Sequence, residues 1–364
     1  MLLAAGEGLT GGLQERTLWA VYGIVLALLA LTLLGRLSRT VRRVALFALL
    51  VVVLYMLLPR LVSGGRAIEL LKEADWIILG VAVAVEFIAL LGYANLFRHI
   101  LRVVDIRVRL ASMYTIVLAG LAASHLFGAG GAAGIVVSYN ALRKRGAPHG
   151  LIFVAIAAQN FFNYIVLWLL FLAAMAWGLL TGELDPLRYG VALLLIGFFI
   201  WLSGYGIYLY NHRTKMRRRV SQFAGYANRF RKKRPIEQQH IDEWLDHLFV
   251  GMRRMSTHRG AKRLALTYSI VFWAFDMFCL YLTFRAFGHH VGFTPLAMSY
   301  VVAYAVGTLT PTPGGLGAVE TLMITMFIGF GVPPAEATVV VLSYRLINFW
   351  MPVPPGLVGY AFIK

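Results

Sequence analysis

Residues 310–320 read TPTPGGLGAVE, a run of helix-breaking residues set between two apolar segments. A continuous helix cannot pass through this run, because proline lacks an N–H donor and glycine favours backbone angles closed to other residues. Unpaired backbone groups are costly in hydrocarbon unless protein or a wet cavity satisfies them. The stretch therefore predicts a buried turn in a membrane protein, followed by a helix whose free N–H groups suit an anion. Alternatively, it is a proline kink in one packed helix.

The composition is that of a polytopic membrane protein. Of the 364 residues, 60% are hydrophobic and 14% charged, whereas a soluble domain has about 25% charged residues. The net charge of +18 lies mainly between apolar segments, so we interpret it as a topology signal and expect no nucleic-acid partner. The single cysteine excludes an internal disulfide, and the nine histidines show no metal-ligand spacing. We expect neither a metal nor a cofactor.

The positions of the apolar runs and of the basic loops predict a topology. Runs long enough to span a bilayer, about 20 residues each, lie at 17–34, 42–58, 76–97, 151–180, 189–210 and 264–287. The first run follows no basic region, so we expect a retained helix and not a cleaved signal peptide. Arginine and lysine concentrate at 98–109 and 143–149, which predicts that both loops are cytoplasmic. The segments 59–75, 181–188 and 288–295 lack this excess and are expected outside.

This topology predicts two re-entrant hairpins. Both flanks of 110–142 are basic, so the segment must enter the membrane and return, with its turn at the four glycines of 128–134. The same reasoning places both ends of 296–330 outside, with the turn at 311–317. The two hairpins therefore enter from opposite faces.

The neighbouring helices extend the correspondence between the two halves. Glu86 lies about midway along the run before the first hairpin, and Asp276 about midway along the run before the second. We therefore predict an all-α polytopic membrane protein with inverted-topology repeats, whose re-entrant hairpins meet near the bilayer midplane, as in secondary transporters. Two unrelated hairpins remain the alternative.

Four regions follow from this interpretation: N-terminal peripheral helices at 1–75, a first repeat at 76–210, a basic segment at 211–263 and a second repeat at 264–364. The basic segment holds 15 of the 34 Lys and Arg residues and four acids. Its apolar positions recur with helical period, which predicts amphipathic helices on the anionic cytoplasmic leaflet. A solvated topogenic loop is the alternative.

Several buried polar residues are candidates for function. Arg345 lies in the middle of an apolar segment, where a guanidinium needs a partner and suits a phosphate or carboxylate. Glu320 is its expected counter-ion, as a structural pair or as part of an anion receptor. Glu86, Asp276 and His125 are candidates for a proton or polar relay, although structural pairing explains them as well. No catalytic motif occurs, so we expect no enzyme.

The chain resembles the transmembrane region of the lysylphosphatidylglycerol synthase (multiple peptide resistance factor) family and its stand-alone relatives. The resemblance rests on PTPGGLGAVE at 311–320, the Tyr344-Arg345 pair, Pro355-Gly356, and GAGGAAG with LRKRG within 128–146. It implies a flippase whose two hairpins and arginine form a headgroup cavity. No aminoacyl-transfer domain follows the membrane region, so we expect no synthase activity. The candidate substrate-binding residues are Arg345, Glu320, Gly130, Gly131, Thr312, Gly314, Gly315, Gly317, Tyr344 and Asn160.

We therefore expect a multi-pass protein of the cell (plasma) membrane that moves an anionic or aminoacylated phospholipid headgroup between leaflets through a midplane polar cavity. One alternative is a translocase of a polyprenyl-phosphate-linked sugar, and another is a non-transporting scaffold that binds anionic lipid or a partner synthase. An ion-coupled solute carrier is a further alternative. Membrane lipids are the expected partners, and a lipid-modifying synthase, a glycosyltransferase or a second copy of the chain are further candidates.

Overall fold

A computed structural model describes residues 66–127, 131–183, 211–230, 259–310 and 312–363, with scattered helical positions within 190–208 and 241–253. The chain divides into two compact units, residues 1–69 and 70–364. All regular structure in the described ranges is helical. The predicted runs at 17–34 and 42–58, most of 189–210 and Gly130 lie outside these ranges.

The helices follow the predicted segments closely. They are α1 (Arg66–Glu73), α2 (Trp76–Val103), α3 (Leu110–Leu126), α4 (Ala132–Arg143), α5 (His149–Thr181), α6 (Arg213–Phe230), α7 (Arg259–Ala286), α8 (Phe293–Leu309), α9 (Ala318–Gly329), α10 (Pro334–Arg345) and α11 (Val353–Ile363). A short 3₁₀ turn, Pro313–Gly315, precedes α9, and a wide π turn, Leu346–Trp350, joins α10 to α11.

Four stretches are long and apolar enough to cross a membrane: Trp76–Val103, His149–Thr181, Gly260–Ala286 and Pro334–Ile363. They correspond to α2, α5, α7 and the combined α10 and α11. Because each exceeds about 20 residues, each is long enough for a hydrocarbon core of about 30 Å. The prediction of an all-helical, multi-pass membrane protein is confirmed.

The centre of the described bundle is an antiparallel pair, α2 and α7. The Asp75 amide, at the N-cap of α2, donates to the Ala286 carbonyl at the end of α7, 2.8 Å away. At the opposite end, His99 Nε2 lies 3.0 Å from the Ala261 carbonyl oxygen. Gly92 brings the helices together in between, because a Cβ there would lie 3.0 Å from Val271 Cγ1. The two helices therefore pack along their whole length.

The predicted segment 110–142 forms two short helices, α3 and α4, that pack on each other. Their contact is tight at Gly134, where a Cβ would lie 2.5 Å from the Gly120 carbonyl oxygen. Ser124 joins the two helices at the turn end of the pair, since its hydroxyl donates to the Gly131 carbonyl (3.3 Å) and accepts from the Gly134 amide (3.2 Å). A helical hairpin results, with Gly131 in the left-handed region at φ 84°.

The segment 296–330 likewise forms two packed helices, α8 and α9, joined by the turn at the opening motif. Gly315 adopts φ 72°, and a Cβ there would lie 3.1 Å from the Gly307 Cα on α8. Helix α9 begins where predicted, because Glu320 accepts a 2.7 Å hydrogen bond from the Gly317 amide and caps the new helix. The second hairpin is thus also closed by glycine against glycine.

In each half, a helix that follows the hairpin packs on the hairpin of the other half. Helix α5 packs on α8, and α11 packs on α3. The second contact depends on Gly356, where a Cβ would lie 2.3 Å from the Leu118 carbonyl oxygen. This close approach gives a physical reason for the glycine in the Pro355-Gly356 motif.

The basic segment packs on the protein with part of its apolar face. Ile241, Leu245 and Phe249 are buried in a core with the ends of α2, α3 and α5. Arg217 of α6 pairs with Asp242 and Asp246 on the exposed side. These three apolar side chains therefore contact the bundle, and the placement of the segment on the cytoplasmic leaflet stays a prediction.

Candidate functional site

The turn of the second hairpin is built around Gly314. This residue adopts φ 53°, and a Cβ there would lie 2.3 Å from Phe349 Cε2 and 3.1 Å from His125 Cδ2. Because no other residue leaves that space free, Gly314 lets the turn touch the end of α3 and the π turn at once. The turn of the second hairpin and the end of α3 therefore meet around one aromatic ring.

Arg345 holds this turn from the end of α10. Its Nε donates to Glu320 Oε1 at 2.6 Å, and its terminal Nη2 donates to the Gly314 carbonyl at 3.3 Å. The guanidinium carbon also lies 4.4 Å from the centre of the Phe349 ring. Since the Arg345 side chain is 4% exposed and that of Glu320 13%, the ion pair is largely withdrawn from water.

His125 links the first hairpin to the same point. Its ring stacks on Phe349 with centroids 3.9 Å apart, and its Nδ1 lies 2.8 Å from the Phe349 carbonyl oxygen. Phe349 is thus covered by His125 from one hairpin and by Arg345 from α10. The π turn makes this possible, because it displaces Phe349 and Asn348 from the register of a regular helix.

A cavity of about 280 Å³ lies between the two hairpins. Its wall combines helices α2, α3, α4, α5, α8 and α9 with the turn at Gly314 and Gly315. The polar residues of the wall are Tyr93, Ser124, His125, Ser138, Gln159, Asn160, Tyr164, Tyr304 and Thr308. No lysine, arginine, aspartate or glutamate is among the lining residues that the structure describes. The cavity therefore offers hydroxyl, amide and imidazole groups.

Gln159 belongs to the wall of this cavity. The residue is 3% exposed, and its buried Nε2 makes no well-formed hydrogen bond within the described part of the chain, although the Tyr93 side chain lies close enough to interact with it. A buried amide N–H without a partner costs about 1–3 kcal/mol, so such a group calls for a ligand or water. The neighbouring Asn160 is already engaged, because its Nδ2 donates to the Ile156 carbonyl at 2.9 Å.

The rim of the cavity is bordered by apolar side chains. Ile135 and Tyr164 line the cavity and are also exposed. Next to them, Val136 on α4, Phe161 on α5 and Val306 on α8 turn exposed apolar surface outward. In a helix that crosses a membrane, such surface suits lipid tails. A cavity whose wall carries several polar side chains is therefore joined to an apolar rim.

A second polar cluster occupies the middle of the α2 and α7 pair. Glu86 and Asp276 are each 1% exposed, and Asn348 Nδ2 donates to both, at 3.1 Å to Glu86 Oε1 and 3.0 Å to Asp276 Oδ1. Asp276 also accepts from Tyr344 at 2.6 Å and Tyr300 at 2.7 Å. We refer to Glu86, Asp276, Asn348, Tyr300, Tyr304 and Tyr344 as the carboxyl cluster.

Tyr304 joins the carboxyl cluster to the cavity. Its hydroxyl donates to Asn348 Oδ1 at 2.8 Å and lies 2.7 Å from the Tyr344 hydroxyl. Tyr304 also lines the cavity wall. A single side chain, Tyr344 or Asn348, therefore separates Tyr304 from Asp276.

The residues named from the sequence fall into three places. Gly131, Gly314, Gly315, Asn160 and His125 line the cavity. Arg345 and Glu320 lie behind the second turn with Gly317, and Thr312 belongs to that turn, its hydroxyl donating to the Thr310 hydroxyl at 3.3 Å. Glu86, Asp276 and Tyr344 belong to the carboxyl cluster.

Sequence reasoning missed Tyr300, Tyr304 and Asn348. Spacing could have found the two tyrosines, because Tyr300 and Tyr304 are four residues apart on one face of a helix, whereas Asn348 lies in the π turn. As for metals, the described ranges contain no group of three His, Cys, Asp or Glu residues that could hold an ion.

Comparison with known proteins gives one family and several relatives. The profile of the family described as "Lysylphosphatidylglycerol synthase TM region" matches residues 44–356. A UPF0104 membrane protein of Methanothermobacter thermautotrophicus is 26% identical over 298 residues, which is 80% of this chain and 87% of the relative. One of Pyrococcus horikoshii is 22% identical over 303 residues, 80% of this chain and 88% of the relative. The matched region includes the cavity, the ion pair and the carboxyl cluster.

Proposed function

The chain belongs to the family of the lysylphosphatidylglycerol synthase TM region, and from this membership we propose that it is a lipid flippase of the cell membrane. It moves an anionic or aminoacylated phospholipid headgroup between the leaflets through the cavity between the hairpins. The protein makes and breaks no covalent bond in this process. The protein lowers the free energy that is needed to remove a polar headgroup from water.

The observation that carries the proposal is a cavity with polar side chains in its wall and apolar side chains at its rim. A headgroup that enters it can exchange water for Ser124, Ser138, Gln159 and Tyr304, while the acyl chains stay beside the apolar side chains of the rim. The volume of about 280 Å³ suits a headgroup and not a whole lipid, since pockets for drug-sized ligands span about 300–1,000 Å³.

Gln159 supports an acceptor-rich ligand such as a phosphodiester. Once the side chain turns toward the cavity, its Nε2, which has no well-formed hydrogen bond of its own, can donate to a phosphate oxygen, and hydrogen bonds to charged groups contribute about 1.5–3 kcal/mol. Arg345 adds a positive charge behind the wall, because it bonds the carbonyl of Gly314, which itself lines the cavity. With Glu320 in place, the guanidinium clamps the turn. When a headgroup is bound, the guanidinium releases the Gly314 carbonyl and binds the lipid phosphate.

The packing supports an inverted repeat as the basis of this movement. Helices α2 and α7 are antiparallel, and each hairpin packs on a helix that follows the hairpin of the opposite half. Helices α3 and α4 have 17 and 12 residues, or about 25 and 18 Å at 1.5 Å per residue. Both are shorter than a hydrocarbon core of about 30 Å, which suits re-entrant hairpins that end at depth.

The direct test is lipid transfer by the purified protein in liposomes. A trace of fluorescent phosphatidylglycerol is placed in both leaflets, and a membrane-impermeant quencher measures how much label reaches the outer leaflet. We expect protein-dependent loss of nearly all fluorescence, where protein-free liposomes keep their inner-leaflet signal. Parallel samples carry the aminoacylated lipid, a zwitterionic lipid or a polyprenyl-phosphate-linked sugar. Transfer of the sugar carrier alone, or of no lipid, would overturn the proposal.

Gln159→Leu sharpens the test. The variant removes the unpaired donor, so we expect an unchanged or higher melting temperature and a loss of about tenfold or more in transfer rate. Asn163→Leu is the matched control, because Asn163 also has a buried, unpartnered oxygen but does not line the cavity. Equal transfer by both variants would contradict a headgroup contact at Gln159.

A further inference from the structure

The carboxyl cluster has two acids and no cation of its own. Glu86 comes from α2, Asp276 from α7 and the three tyrosines from α8 and α10. The Cys279 thiol of α7 lies next to Glu86. Tyr114 of α3 faces it as well, and Arg345 is the nearby cation. Arg345 is already bound to Glu320 at 2.6 Å. Two carboxylates without a cation cannot both stay ionised at low dielectric.

The hydrogen bonds indicate where the compensating proton lies. Asn348 supplies one donor to each acid, and two tyrosines donate to Asp276. Glu86 Oε2, however, has no well-formed hydrogen bond within the described residues, although the Asp276 carboxyl and the Cys279 thiol both interact with the Glu86 side chain. A proton shared between the two carboxyl groups satisfies this oxygen, because a protonated carboxyl donates to its neighbour.

We propose that Glu86 and Asp276 hold one exchangeable proton, and that its uptake and release are coupled to passage of the headgroup through the cavity. This inference rests on the proposed flippase function and adds its energy source. The juxtaposition that carries it is a pair of acids bridged by Asn348 at the middle of the α2 and α7 contact, with one unpartnered Glu86 oxygen and a hydrogen-bonded route to the cavity.

Tyr304 provides the coupling. The Tyr304 hydroxyl donates to Asn348 Oδ1 and lies beside the Tyr344 hydroxyl, which donates to Asp276. A phosphate oxygen in the cavity attracts the Tyr304 proton, so the hydroxyl turns away from Asn348. Asn348 holds both acids through its Nδ2, and its movement changes how well the pair retains a proton. Headgroup and proton occupancy are thereby linked.

The proton balance of one cycle is simple. On one side of the membrane a carboxylate oxygen of the pair forms an O–H bond with a proton from water. On the other side that O–H bond breaks, the proton returns to water and the carboxylate is restored. No electron is transferred, and no co-reactant besides water is needed.

The test is lipid transfer under a pH difference. Wild-type protein in liposomes receives a trace of fluorescent phosphatidylglycerol, with the membrane potential clamped by valinomycin and equal potassium. The outer-to-inner ratio of label is read at steady state with a quencher. For one proton per lipid, we expect the ratio to shift by up to about tenfold for each unit of pH difference. Nigericin, which collapses the gradient, should abolish the shift.

Three variants locate the effect. Glu86→Gln and Asp276→Asn replace a titratable group by an amide of the same shape, so the pH-driven shift should disappear while some transfer remains. Glu336→Gln is the matched control, because Glu336 is a partly buried acid that pairs with His289 away from the cluster. It should keep the shift. If an amide variant fails to fold, the wild-type measurement decides alone.

The outcomes separate the two proposals. Wild-type transfer with a ratio indifferent to pH overturns the proton coupling and leaves the flippase intact. A pH-driven shift that survives in both Glu86→Gln and Asp276→Asn assigns the proton elsewhere and overturns the inference. Absence of any protein-dependent transfer, with or without a gradient, overturns the flippase itself.

Discussion

The two hairpins close in the same way at their helices and differently at their turns. In each, a glycine of the first helix meets a second glycine, Gly120 with Gly134 of α4 in the first hairpin and Gly307 with Gly315 of the 3₁₀ turn in the second. The first turn is tied by the hydroxyl of Ser124, which belongs to the hairpin itself. The second is held by Arg345, which comes from another helix.

This difference indicates that the two halves share an architecture but not a mechanical role. A turn tied by its own hairpin moves with that hairpin as one body. A turn clamped from α10 is coupled to whatever moves α10, including the π turn that carries Asn348 and Phe349. The second hairpin therefore connects the cavity to the carboxyl cluster, and the first provides a fixed wall.

Removing one partner of the Arg345 and Glu320 pair should have the largest effect on stability. Arg345→Met or Glu320→Gln leaves a buried charged or polar partner uncompensated, at a cost of about 3–5 kcal/mol, whereas the double variant should regain most of the stability. Melting in detergent and lipid transfer are measured together. If Arg345 also contacts phosphate, the double variant stays inactive, and Arg345→Lys transfers poorly because a point charge does not reproduce the planar fork. Recovery of both stability and transfer would reduce the pair to a structural role.

Gly314→Val should rank second. The left-handed backbone costs a residue with a Cβ about 1–2 kcal/mol, and overpacking against Phe349 adds about 1–3 kcal/mol. The melting temperature should fall and transfer should be lost. Gly80→Val is the matched control, because a Cβ at Gly80 on α2 meets nothing within 4 Å. Similar stability of the two variants would show that the second turn is not tightly held.

Ser124→Ala should have the smallest effect and tests the other side of the comparison. The variant removes the hydroxyl that ties the first turn, which should cost about 1 kcal/mol. Hydrogen exchange should increase locally at the Gly134 amide, and transfer should change little. A loss as large as that of Arg345→Met would mean that the first turn is also an essential clamp, and the contrast between the hairpins would fail.

Much of the fold could be predicted from local sequence. The helices at 76–103, 149–181 and 259–286 follow from their apolar length, and the break at 310–317 follows from proline and glycine. The partnership of Arg345 with Glu320 was expected because each is costly alone in hydrocarbon. These are properties of single segments.

Properties that depend on the packing register could not be predicted. The π turn displaces Asn348 toward two acids on other helices, and no local pattern fixes how α10 rotates against α2 and α7. For the same reason, the sequence did not predict whether the Arg345 guanidinium lines the cavity or lies behind its wall. Arg345 bonds the Gly314 carbonyl, and Gly314 lines the cavity.

The most direct test of headgroup passage through the cavity is a variant that fills the cavity without destabilising the fold. Ser138→Trp places a large ring into the cavity, whereas Val136→Trp, on the same helix, places it on the exposed apolar surface. Transfer of fluorescent phosphatidylglycerol is compared for both variants after equal melting temperatures are established. The account predicts wild-type transfer for Val136→Trp and at least a tenfold loss, about 1.4 kcal/mol, for Ser138→Trp. Equal transfer by the two variants would contradict a headgroup path through this cavity.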